Sequence, residues 1–529
     1  VASTISAYRG ANPRPDAGTA GLPPTANHQG SRSESTKRRA MRILQVSAEI
    51  FPLLKTGGLA DIAGALPAAL HEAGCDVRVL LPGFPAIVAG LRNASPVGAF
   101  VMPWGEMVEV VYGDLPALAR GDMQQGAYVL IAPGLFERPG NPYEDANKQP
   151  YGDNHRRFAA LGQAAAHLAH GMDSLWRAQL VHSHDWHAGL ASAYLKLWAD
   201  RGATRVPSVF TVHNLAYQGV FGPQYFGDLG LPGEAFHVQG MEFHGQLSFM
   251  KAGLFYASHI TTVSPTYARE IQTPEQGCGL DGLLMARRDA LSGILNAVDD
   301  TVWNPTSDAL LEQNFDARHM AGKAINKAML QGTMGLAIEP DAPLFAVVSR
   351  LTEQKGLPLV LAGLDEIVSR GGQLLVLGSG DTWMEQAFTE RAKTHAGRVA
   401  VKLGYDESFA HRVFAGSDVT LVPSRFEPCG LTQMYGLKYG SLPLVRRVGG
   451  LADTVVDSDL ETLEDRTATG FVFDAFDETA YRKAVRRAFA LYHRKAEWNR
   501  VRQTGMKLAF DWATAAGHYT HLYQRLIQE

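Results

Sequence analysis

Cysteine is scarce in this chain: three residues, Cys75, Cys278 and Cys429, stand far apart in 529. An odd, scattered set excludes a disulfide framework and suits free thiols in a reducing compartment, so the expected location is the cytoplasm. No apolar run approaches the roughly 18 residues of a membrane span, and residues 1–40 lack the apolar block of a secretory signal. Neither sign of charge dominates. With a net charge of −4, 19% charged and 46% apolar residues, there is no basic field to hold a nucleic acid and no membrane-binding surface. A GxGxxG fingerprint is missing from both halves, which argues against dinucleotide redox chemistry. A helical HExxH zinc arrangement is missing as well.

What is present reads as an α/β enzyme of two domains, because 529 residues exceed a single core. Residues 1–40 are rich in Ser, Pro, Gly and Ala, carry six Lys/Arg against two Asp/Glu, and show no periodicity. They are expected to be a disordered leader, read as an extension ahead of Met41 rather than as a transit peptide. From Met41 the pattern is RILQV as a buried strand, a loop, LADIAGALPAALHEAG as an amphipathic helix and DVRVLL as a second strand, continued through YVLIA, LVHSH and SVFTV. A second series opens at Leu344 with LFAVVS, QLLVLG, VAVKLG, VTLVPS and LPLVR. Such short, uniformly apolar strands between helices are the mark of parallel sheets covered on both faces. The expected architecture is two Rossmann-like, doubly wound domains facing across a cleft, residues 41–296 and 297–508, with a C-terminal helix over 509–529 returning to the first domain. Ligands of such sheets bind beyond the carboxyl ends of the strands, so the loops there are where chemistry is sought.

Four loops stand out. KTGGLADI, Lys55 to Ile62, sets a lysine and two glycines, Gly57 and Gly58, between a strand and a helix, where amides can approach an anion; a Gly-rich turn with a solvated lysine fits the same letters. SRLTEQKGL offers Arg350 and Lys355, a planar fork and a mobile point charge that together would neutralise a diphosphate, though scattered cations are also ordinary surface. PSRFEPCGLTQMYGLKYG brings Glu427 into a strand-to-helix turn with Gly430, Leu431 and Thr432 opening the helix. There a carboxylate would hydrogen-bond sugar hydroxyls or offset positive charge at a reacting carbon, unless it merely satisfies helix-start amides. HSHDWHAG holds three histidines and Asp185, read as a sugar-pocket wall with Asp185 accepting from hydroxyls rather than as a metal cluster. His213 and Asn214, ending SVFTV, are expected in the same cleft, against the alternative that a strand-end histidine is simply packed.

Taken together, KTGGLADIAGALP, HDWHAGL, FTVHNLAYQG, SPTYAREI, FAVVSRLTEQKGL and VPSRFEPCGLTQMYGLKYG resemble, in order, the bacterial glycogen synthases and plant starch synthases, from about Met41 to the C-terminus. The resemblance implies the two-domain glycosyltransferase type B fold. It also implies retaining transfer of glucose from ADP-glucose to the non-reducing end of an α-1,4-glucan, with release of ADP and without a cofactor or metal. By the same resemblance Lys55 contacts the phosphate side of the donor and Arg350 and Lys355 grip the diphosphate. Asp185 and His213 lie near the glucosyl ring, Glu427 contacts the sugar, and Gly58 with residues 430–432 supplies amides. Tyr405 is implied to lie against the base and Asn296 on the hinge side of the cleft, with Gly57, Asp61, His187 and Asn214 completing the binding set. Many other retaining type B transferases carry a second glutamate eight residues after the first, where this chain has Tyr435. The competing readings are a related transferase using UDP-glucose or making sucrose-like or trehalose-like products and a glucan-binding scaffold without turnover; a phosphorylase would need a lysine-bound pyridoxal phosphate, for which no motif is present. The residues set no oligomeric state.

Overall fold

The computed structural model describes residues 40–120 and 123–529; the leader expected over residues 1–40 falls, but for Ala40, outside them. The first sheet contains β1 (Arg42–Val46), β2 (Asp76–Pro82), β3 (Arg92–Val101), β4 (Met107–Asp114), β5 (Gly126–Ile131), β6 (Leu180–His184) and β7 (Ser208–Val212). After a small antiparallel sheet of β8 (Val220–Phe221), β9 (Glu242–Phe243) and β10 (Gln246–Ser248), it is completed by β11 (His259–Thr262) and β12 (Leu291–Gly293). Its order is β12-β11-β7-β6-β1-β2-β5-β4-β3. Only β4 runs against the others, pairing antiparallel with β5 on one side and, in an edge hairpin, with β3 on the other. Nothing in the letters announced that hairpin: β3 is largely exposed, so it lacks an apolar run, and it carries Pro96 and register shifts against β4.

The second sheet is parallel throughout: β13 (Leu344–Val348), β14 (Gln373–Gly378), β15 (Val399–Leu403), β16 (Val419–Val422), β17 (Leu442–Arg446) and β18 (Phe471–Phe473), in the order β15-β14-β13-β16-β17-β18. Strand β14 is buried along its whole length, as a strand with helices on both faces must be. One core gathers Leu44, Val46, Val79, Val129 and Phe158, and another Phe345, Val347, Leu374, Val376 and Leu444. The chain ends in the helix Trp512–Gln528, whose Tyr519, Leu522, Tyr523 and Leu526 pack with Ile62, Leu66 and Leu70 of the helix Gly58–Glu72. Each such buried apolar side chain contributes about 1.5–3 kcal/mol.

The strand orders locate the site. Each sheet reverses direction of winding once, between β1 and β6 in the first and between β13 and β16 in the second. Loops diverge at such a switch point and leave a crevice beyond the strand ends. The loops there are residues 47–57, the turn at Asp185, residues 349–356 and residues 423–431.

Candidate active site

The second-domain half is built on a close approach of two loops. Gly356, at φ 70°, follows the short turn Glu353–Lys355; a Cβ there would stand 1.9 Å from the carbonyl oxygen of Pro423. Only glycine has both the conformation and the room. The approach carries Lys355 Nζ to 2.6 Å from Glu427 Oε2, which also accepts from Ser424 Oγ at 2.9 Å. Glu427 is 5% exposed, so its charge is met by a cation and a hydroxyl rather than by water. Gly430 lies against Glu427 Cγ, and Gln433 Nε2 donates to the carbonyls of Cys429 and Gly430, closing the turn. Leu431 is half-buried, and Thr432 begins the helix Thr432–Lys438. Arg350 is exposed and held only by long contacts, 3.4 Å to Tyr217 Oη of the first domain and 3.5 Å to Gln354. Tyr435, where a second carboxylate would stand, is stacked on Trp303 at 3.8 Å between ring centroids.

The first-domain half is drier. Asp185 opens a helix straight from β6 at φ 55°, a backbone conformation that aspartate adopts rarely and that persists only when surroundings enforce it. Its Oδ1 accepts the backbone N–H of His213 at 2.7 Å and of Asn214 at 3.4 Å, tying the loop after β7 to the turn after β6. Burial pushes Asp185 up to about 7, against those two hydrogen bonds. The same burial drives His182, His187 and His213 down to about 3, so these imidazoles are neutral near pH 7. His213 Nε2 lies 3.0 Å from His184 Nδ1. His187 stacks on Tyr143 with centroids 4.5 Å apart. His182 is bonded to Thr211 Oγ1 at 2.6 Å and Tyr523 Oη at 2.7 Å, which makes it a packed residue.

Lys55 faces the other domain. Its Nζ is 2.9 Å from Asp61 and 2.8 Å from Glu407, at the start of the helix Glu407–Gly416. Burial works to lower its pKa, but the two carboxylates outweigh that and hold it raised. Asp61 is pushed up to about 6 by burial, opposed by Lys55 and reinforced by the neighbouring charges of Glu407 and Glu49. One ammonium thus serves two carboxylates, Asp61 and Glu407, with the charge of Glu49 nearby. Tyr405, 72% exposed, donates its hydroxyl to Glu407 and presents its ring 5.6 Å from Lys55 Nζ. Gly57 and Gly58 open onto free space: a Cβ at either meets nothing within 4 Å, and Gly57 is extended. Neither packing nor backbone conformation requires glycine at 57.

Two members of this constellation carried no signal in the letters. Buried Glu49 accepts from Thr56 Oγ1 at 2.6 Å and also from the Thr56 N–H and the Tyr143 hydroxyl, fixing the base of the glycine loop. Tyr143 joins it to His187. Their partners are remote in sequence, and neither sits in a patterned motif. Asn296 is buried and hydrogen-bonds Cys429, whose thiol burial pushes up to about 12.

The chain matches the family model for the starch synthase catalytic domain over residues 42–286 and that for glycosyl transferases group 1 over 335–502. It is 63% identical to the glycogen synthase of Variovorax paradoxus (strain S110), over 92% of this chain and 99% of that one, and 58% identical to that of Leptothrix cholodnii, over 92% and 100%. Among solved structures it is similar to the catalytic domain of starch synthase IV from Arabidopsis thaliana bound to ADP and acarbose. There the TM-score is 0.83 and the identity 30%, over 93% of this chain and 100% of that one. The sucrose-phosphate synthase of Thermosynechococcus elongatus shares the fold at 18% identity and a TM-score of 0.56, over 92% and 99%. With two α/β domains in the glycosyltransferase type B arrangement and relatives of this closeness along nearly the whole of their length, the chain belongs to the glycogen synthase family.

Proposed function

We propose that the enzyme takes its glucosyl group from ADP-glucose and adds it, with retention, to the non-reducing end of an α-1,4-glucan, and that the switch-point loops divide the work. The observation that carries this reading is the pairing of a buried, cation-held Glu427 on one domain with a glycine loop on the other whose Gly57 and Gly58 face open space. A glycine that neither packing nor conformation requires leaves room for a ligand to approach the backbone. Lys55, Arg350 and Lys355 then bear on the diphosphate, with Tyr405 against the base. Asp61, His187, Asn214 and Asn296 line the cleft with residues 430–432.

In the reaction the bond from the anomeric carbon to the β-phosphate oxygen breaks, and the electron pair leaves with ADP. The acceptor hydroxyl oxygen bonds to that carbon on the same face, and its proton passes to the departing phosphate. Fixed cations stabilise the growing phosphate charge, each preorganised donor contributing roughly 10²–10³ in rate. Glu427 and the wall of Asp185 and His213 address the cation-like sugar, with the neutral imidazole as a hydrogen-bond partner. We read the chemistry as needing no metal or cofactor, because three cations are available for one diphosphate. We place the enzyme in the cytoplasm, where Cys75, Cys278 and Cys429 stay free thiols.

The test is transfer of labelled glucose to glycogen from ADP-glucose and, in parallel, UDP-glucose, with EDTA present and Glu427→Ala as control. Incorporation from ADP-glucose alone, indifferent to EDTA and reduced to a small but measurable residue in the variant, is expected. Incorporation only from UDP-glucose would overturn the donor assignment, and sensitivity to EDTA the metal-free one.

A further inference from the structure

The stretch SPTYAREI, Ser264 to Ile271, carried family resemblance but no chemistry in the letters. In the structure it is the seam between the domains. The helix Pro265–Glu270 follows β11 and packs on the helix Gly449–Thr454 of the second domain. Three of its polar residues cross over. Thr266 donates through its N–H and its hydroxyl to Asp453, at 2.8 and 2.6 Å. The Glu270 carboxylate accepts the N–H of Gly449, at 3.0 and 3.1 Å to its two oxygens. Ser264, fully buried, accepts the N–H of Tyr267 at 3.1 Å to cap its own helix and donates its hydroxyl to the carbonyl of Pro428 at 2.7 Å.

Pro428 is the residue after Glu427, and its carbonyl is a junction. It accepts from Ser264 on one domain and from the N–H of Gly450 on the other, at 3.1 Å; Gly450 also donates to the Glu427 carbonyl at 3.2 Å. The turn at 449–450 lies flush on this backbone: a Cβ on Gly449 would stand 1.9 Å from the Glu427 carbonyl oxygen, and one on Gly450 2.1 Å from that of Cys429. Such a contact has no slack, so a movement of either side is passed to the other. The side chain of Glu427 is held by Lys355 and Ser424, both of the second domain, whereas its backbone is referred through Ser264 and Glu270 to the domain that bears Asp185 and His213.

We propose that Ser264, supported by Glu270, is a positioning residue for Glu427: its hydroxyl fixes the Pro428 carbonyl, and with it the Glu427 carboxylate, relative to the opposite wall of the cleft. Serine suits the place because one group must accept from its own helix and donate across the seam at once. The proposal rests on Glu427 acting at the sugar.

The experiment compares Ser264→Ala with Thr266→Ala, which, like the serine change, removes one side-chain hydrogen bond across the same seam, that of the hydroxyl to Asp453, but without touching the Glu427 loop, and repeats Ser264→Ala in a Glu427→Ala background. A small displacement of a reacting group is costly, so Ser264→Ala is expected to lower kcat about tenfold with the donor KM moved less than about twofold, and Thr266→Ala to keep kcat within about twofold. In the Glu427→Ala background the serine change should cost less than about twofold further, because its route of action is already gone. Thermal midpoints of the two single variants should lie close together. A kcat for Ser264→Ala within about twofold of wild type would overturn the proposal, as would an equal loss in Thr266→Ala or an equal loss in both backgrounds. Should Glu427→Ala alone retain full activity, the reading of Glu427 itself fails and the proposal falls with it, an outcome distinct from the others.

Discussion

The two halves of the cleft handle charge in opposite ways. On the first domain Asp185, His184, His187 and His213 are buried, their protonation is moved far by lost hydration, and they are fixed by backbone and ring contacts. On the second domain opposite groups meet directly or face water: Lys355 is paired with Glu427, and Arg350 stands in solvent with two long contacts. A wall meant for hydroxyls gains from a low-dielectric, preorganised surface. A seat for a diphosphate gains from mobile cations whose hydration is given up only when the anion arrives. Lys55 is the exception that joins them, a first-domain cation held by second-domain Glu407.

The sharpest way to break this comparison is to remove the cations. Lys355→Ala and Arg350→Ala are each expected to lower kcat from ADP-glucose by about 10²–10³, and rates near wild type would sink the charge-stabilisation account. The second-domain seat should also be salt-sensitive, donor KM rising between low and about 0.5 M salt, because exposed charges are screened. His213→Ala on the dry wall is expected to cost less, about 10–10²-fold, with no change in that salt dependence.

A pH series sharpens the contrast. Burial holds Asp185 at about 7, well above the usual carboxylate range. Its folded pKa is raised, so its favourable contribution to stability is present below about 4 and is lost as the pH rises through about 7. Asp185→Asn keeps an acceptor for both N–H groups and tolerates the left-handed backbone. It should therefore be more stable than wild type at pH 8, by no more than about 4 kcal/mol, the difference shrinking below pH 7 and vanishing near pH 4 in denaturant titrations. Wild-type transfer should fall as the pH drops through about 7, a limb absent from the slower variant. The smallest effect belongs to Cys429→Ser, with activity within about twofold of wild type, since the thiol is packed and protonated. Near-complete loss there would mean that a cysteine in the Glu427 turn acts in the chemistry.

Much of the fold was legible because short apolar strands such as LFAVV and QLLVLG signal parallel sheets locally, and because catalytic loops follow strand ends. The edge hairpin was not, since its exposed strand has no pattern to read. Within the site, the approach of Lys355 to Glu427 follows from two motifs that each flank the switch point of one sheet. The bond from Lys55 to Glu407 spans 352 residues and that from Ser264 to Pro428 spans 164, and no periodicity links such pairs.

The sequence by itself determined the kinds of group available and the element that carries each: a lysine before two glycines, a glutamate in a strand-to-helix turn, histidines at strand ends. Local propensity and hydrophobic period act over a few residues and suffice for that. Only the tertiary structure decided which charges meet, which lose their water and which carbonyl a buried serine reaches. Coulomb energies and desolvation depend on distance and burial in space, and these are set when distant segments close on one another.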